Sequence, residues 1–80
     1  MKRGKLLYVV WRDAVSNHVG WGQLADIDKQ RTPIVHSVGW QRRRSKTELT
    51  IVASIMDEEG SGDLTIPVGM IVSEKELAPK

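Results

Sequence analysis

Two strand-forming stretches, residues 34–44 and 47–57, each run for eleven residues in a chain of only 80. At about 3.3 Å per residue, eleven extended residues reach roughly 36 Å, too far for straight strands in so small a domain. Such strands must bend, and a bent strand serves both halves of a curled sheet. Surface scaling leaves about 63% of the unfolded chain's surface buried on folding, enough for one thin core and no second domain. The length therefore points to a small curled sheet or barrel spanning residues 1–80, with residues 1–4 and 78–80 as flexible ends.

Five strands follow from local pattern. Lys5–Arg12 (KLLYVVWR) is dense in β-branched and aromatic residues and suits a strand that is buried or nearly so. Asp13–Gly22 carries Ser, Asn, His and two Gly and marks an irregular excursion. Leu24–Gln30 holds at most one helical turn, ended by Thr32-Pro33. Ile34–Arg44 is the second strand, with Gly39 as the expected bulge or bend. In Thr47–Asp57, alternation places Leu49, Ile51, Ala53 and Ile55 on one face and Thr50, Val52, Ser54 and Met56 on the other. Ser45-Lys46-Thr47-Glu48 also fits a helix capping box, but the β-branched Thr50, Ile51, Val52 and Ile55 favour a strand. Asp57–Gly62 is expected as a hairpin loop, Asp63–Ile66 as the fourth strand, Pro67–Met70 as a tight turn and Ile71–Glu74 as the last strand. The fold expected is all-β: a five-stranded SH3-like or Sm-like barrel with a long loop or single helical turn between strands 1 and 2.

Composition excludes several classes. The chain has no cysteine, so no disulfide, thiolate zinc site or thiol nucleophile is available. No apolar run approaches the roughly 20 residues of a membrane helix, and Met1–Lys5 lacks the apolar segment of a signal peptide. A cytoplasmic protein without membrane attachment is expected. Charge is divided unevenly. Residues 1–46 carry ten Lys/Arg against three acids, a net of +7, and residues 47–80 carry two against seven, a net of −5. Separate basic and acidic surfaces would favour an anionic ligand or head-to-tail self-association, whereas folding could equally interleave the two signs.

Nothing assembles a nucleophile, a base and an orienting group, and there is no phosphate loop, G-x-S-x-G or H-E-x-x-H, so no enzyme and no cofactor is expected. Asp57, Glu59, Ser61 and Asp63 fall at positions 1, 3, 5 and 7 of a calcium-loop register with Gly62 at position 6. Position 12 is Val68, however, and the flanks are strands, so a solvated hairpin tip explains these acids and no metal site is assigned.

Binding chemistry concentrates elsewhere. In Trp40-Gln41-Arg42-Arg43-Arg44-Ser45-Lys46, guanidinium forks suit phosphate and an indole offers a stacking face for a base. Strand alternation would group Trp40, Arg42 and Arg44 on one face. A plainer reading makes this a solvated strand end. Three Trp and one Tyr with no Phe is an unusual aromatic set, and tryptophan suits contact surfaces. Trp11 belongs to the core, while Trp21, near His18 and Gln23 in a Gly-flanked loop, is the better exposed contact. The candidate ligand-binding residues are Trp40, Arg42, Arg43, Arg44, Trp21 and His18. Asp13 is expected either to pair with Arg12 or to cap the following turn.

The run Val9-Val10-Trp11-Arg12-Asp13-Ala14, with Gly20-Trp21 and Ser37-Val38-Gly39-Trp40, resembles small proteins encoded in phages and prophages. Gly62-Asp63, Ile66-Pro67, Ile71-Val72 and Glu76-Leu77 extend the likeness over nearly the whole chain. The resemblance implies a small β-barrel of phage-type origin working in the host cytoplasm, and assigns no binding residue. Two functions follow as expectations. One is a non-enzymatic module that binds or sequesters a signalling nucleotide or single-stranded nucleic acid, a coherent counter-defence task. The other is a protein-interaction module that inhibits or bridges a host protein. Either is expected to work as a homo-oligomer.

Overall fold

The computed structural model describes residues 4–15 and 20–78. Strands β1 (Leu6–Arg12), β2 (Ile34–Arg44), β3 (Glu48–Met56), β4 (Glu59–Pro67) and β5 (Ile71–Glu76) form one antiparallel sheet in the order β4-β3-β2-β1-β5. A four-residue helix, α1 (Leu24–Ile27), lies in the excursion between β1 and β2, and a single 3-10 turn (Val68–Met70) separates β4 from β5. Among the described residues no helix is long and apolar enough to cross a membrane.

Alternation makes one face of this sheet the core. Leu7, Val9 and Trp11 on β1 share it with Leu49 and Ile51 on β3 and Ile66 on β4, and Val35, Leu64 and Ile71 pack against them. Because β1 and β4 meet in one cluster although two strands lie between them, the sheet curls around this face. Gly39 stands opposite Leu7 in the β1–β2 ladder. A Cβ there would lie 3.0 Å from the Val52 carbonyl oxygen and 3.1 Å from the Ile51 Cβ, so glycine lets β2 and β3 close on each other at the curl. The Trp11 indole N–H donates to Ser37 Oγ at 3.0 Å, which satisfies the one polar atom of a buried ring.

Five points differ from the sequence expectation. The curled sheet is not closed: β4 and β5 are its two margins and share no ladder. The bulge lies between Gln41 and Arg43 rather than at Gly39, which serves close approach instead. That extra residue reverses the faces beyond it. Trp40 pairs with Val52 and Arg43 with Thr50 on the outer face, while Gln41 pairs with Ile51 and Arg44 with Leu49 on the inner one. Trp40, Arg42 and Arg44 therefore do not form one row.

The acidic hairpin is tighter than expected. Only Asp57 and Glu58 form its turn, with Asp57 at φ 53°, and β4 begins at Glu59. The ladder stays in register because two residues suffice to reverse the chain there. In β4, Gly62 takes φ 70°, a conformation that favours glycine and lets the arm twist. Within β3, Val52 is buried and Ala53 exposed, the reverse of strict alternation: Val52 packs close to Gly60 of β4, while Ala53 lies where the hairpin leaves the core. The radius of gyration is 16.0 Å, against about 12 Å for a compact chain of this length.

Candidate functional site

The β2–β3 corner carries the basic run. Here Ser45 Oγ accepts from the backbone N–H of Thr47 at 3.3 Å and of Glu48 at 3.1 Å, while the Ser45 N–H donates to the Glu48 carbonyl at 2.9 Å. The two bonds to the hydroxyl are those a helix cap would make, used here to fold a turn between two strands. The turn brings Arg43 beside Glu48, and the guanidinium donates to Glu48 Oε1 at 2.7 Å.

Arg44 points the other way. On the inner face it meets Glu74 of β5 through both terminal guanidinium nitrogens and reaches Gln41 Oε1 at 3.5 Å. Hydrogen bonding to Glu74, and then its charge, raise the Arg44 pKa above its ordinary value. Two of the three arginines are thus held by carboxylates from the acidic half of the chain. The two signs of charge are interleaved here rather than set apart.

The side chain of Arg42, the bulged residue, makes no hydrogen bond or ion pair with the described residues. It lines a cleft of about 190 Å³ with Val52, Ile55, Glu58, Glu59, Gly60 and Asp63. One guanidinium here faces three carboxylates over an apolar floor. Such a lining attracts a cation more readily than a phosphate. Of the calcium-like register, Glu59, Ser61 and Asp63 are strung along the extended β4 strand, paired with Met56, Ser54 and Val52, while Asp57 lies in the turn.

The excursion across residues 13–33 is closed at its base by the Asp13 N–H donating to the Pro33 carbonyl at 3.1 Å. The Asp13 carboxylate accepts from the Ala14 N–H at 2.8 Å, the turn-capping role. Arg12 points instead to Thr32 Oγ1 at 3.5 Å. On this excursion Trp21 is fully exposed (102%), and nearby Leu24 is 75% exposed on a helix that buries none of its residues. His18 lies outside the described residues. Trp21 is not brought to the arginines: it projects from the excursion, whereas Trp40 is half-buried on the sheet opposite Leu6 and Val52.

A further surface escapes motif-based reading. On the outer face of β1 and β2, Leu6, Tyr8 and Val10 lie beside Trp40, Val38 and His36, with Ile34 at the end. Val38 is 53% exposed and Ile34 44%. The Tyr8 hydroxyl lies 2.6 Å from His36 Nδ1, and the two rings stack at 5.8 Å between centroids. The signal was present in LLYVVWR, where both alternating sets of β1 are apolar.

No family model, no curated protein and no solved structure matches this chain.

Proposed function

We propose that this chain is a non-enzymatic protein-interaction module of phage-type origin, built as a small SH3-like or Sm-like barrel and acting on a host protein in the cytoplasm. The order of elements supports the barrel type: a four-strand meander, a 3-10 turn, and a last strand that returns to pair with the first. One observation carries the function. Trp21 stands wholly in solvent beside an exposed Leu24, on an excursion tied at its base to a rigid sheet. A fully exposed indole gains nothing for the fold, whereas in a partner's apolar pocket it supplies a large rigid contact and one N–H donor. The partner fitting this chemistry is a protein with an apolar pocket bordered by a backbone carbonyl.

A second reading, sequestration of a phosphate-bearing ligand, rests on Arg42, the arginine of the run that no described residue engages. It is the weaker of the two, because Arg43 and Arg44 are already paired and carboxylates share the Arg42 cleft.

A pull-down followed by reconstitution with the purified retained protein separates them. Trp21→Ala is expected to weaken that reconstituted complex at least about tenfold, while replacing Arg42, Arg43 and Arg44 together by Ala leaves it nearly unchanged. Co-purification of a nucleotide or RNA that is lost in the triple-arginine variant, with no protein retained, contradicts the proposal and supports sequestration.

A further inference from the structure

We infer that the outer face of β1 and β2 is covered in solution by the same face of a second copy of this chain, giving a two-fold dimer. The inference stands apart from the Trp21 contact and uses a different surface.

It begins with β1. Leu7, Val9 and Trp11 fill the core, yet Leu6, Tyr8 and Val10 on the opposite face are apolar too. Strands apolar on both faces belong to sheets covered on both sides. Here Val38 and Ile34 beside them remain about half exposed, and α1 buries none of its residues. Among the described residues no element covers this face.

The chain also exposes more surface than its mass predicts, the projecting β3–β4 hairpin contributing part of it. The protein exposes 6480 Å², against about 4,900 Å² for a folded chain of its mass, an excess of roughly 1,600 Å². A standard interface takes about 800 Å² from each partner. Domains this small usually supplement a thin core with disulfides, a metal or association. The chain has no cysteine, and among the described residues no group of metal-binding side chains forms. Association is the remaining route, and a deficit built into the folded chain is met most simply by a partner present in equal amount, another copy.

The charges at the margins suit a two-fold arrangement. Across the outer face, Lys75 of β5 pairs in register with Tyr8, and Asp63 of β4 with Val52. Positive charge thus borders one side of the apolar band and negative charge the other. A two-fold axis running along the strands lays the Lys75 margin of each copy against the Asp63 margin of its partner.

Because the chain has no native cysteine, single introduced thiols report on this arrangement. Under mild oxidation, Val38→Cys is expected to form a disulfide-linked dimer at least about tenfold faster than Glu58→Cys at the hairpin tip. In sedimentation velocity the wild type runs as a dimer, and Val38→Asp, which places a carboxylate at the centre of the face, runs as a monomer. Should Val38→Asp fail to fold, the cross-linking comparison decides alone. A wild-type monomer at about 100 μM, or faster cross-linking of Glu58→Cys than of Val38→Cys, overturns the inference, the latter in favour of head-to-tail association through the acidic arm.

Discussion

Ser37 carries more structural weight than its size suggests. It sits on the core face of β2 opposite Val9, and its hydroxyl is the partner of the Trp11 indole N–H. Ser37→Ala leaves that N–H unsatisfied beneath the curled sheet, so unfolding by denaturant is expected to show a loss of about 1–3 kcal/mol. In a Trp11→Phe background the donor is gone, and Ser37→Ala should then cost much less. Equal losses in both backgrounds would show that the bond contributes nothing. At this scale the sequence was informative where chemistry left one outcome: Trp11 is core and Trp21 is exposed. It was ambiguous at Ser45, whose hydroxyl accepts the same N–H groups in a helix cap and in a strand turn. Only the β-branched residues that follow decide between them.

Among the elements, β2 is where pattern and structure part. Its bounds, Ile34–Arg44, follow directly from residue type. Its faces do not, because one bulged residue at Arg42 exchanges the sides of everything after it. Nothing in Gln41-Arg42-Arg43 marks the bulge, whereas Gly39 looks the part and serves another purpose: a Cβ there would press on Val52 and Ile51 at 3.0–3.2 Å. Arg42→Ala should therefore keep the ladder and change stability by no more than about 0.5 kcal/mol. Deleting Arg42 removes the extra residue but leaves Gln41 opposite Ile51, Arg43 opposite Thr50 and Arg44 opposite Leu49, so both ion pairs keep their faces and the deletion should cost no more than about 1 kcal/mol. Thermal melts of the two variants check this, and a loss of more than about 2 kcal/mol on deletion would contradict this account of the bulge. Leu49 is fully buried under β4, and Leu49→Ala should cost about 2–5 kcal/mol by the same measurement.

For the whole molecule, two long strands in a short chain correctly implied a curled sheet, and the strand order follows from hairpins plus one return. Closure was not legible, because it depends on whether the two marginal strands meet, a matter of curl rather than composition. Charge division was legible as arithmetic but not as surface. The acidic half supplies Glu48 and Glu74 to the basic run, so an anion site suggested by three consecutive arginines is largely occupied from within. What the fold leaves exposed instead is apolar: the Trp21 and Leu24 excursion and the outer face of β1 and β2. The central claim is that this molecule works through those apolar surfaces rather than through its arginines. Native mass spectrometry of protein purified gently from its producing cells tests that claim most directly. The account predicts a species of twice the 9.0 kDa chain mass with no small-molecule excess. A single chain carrying the added mass of a nucleotide or short RNA would contradict it.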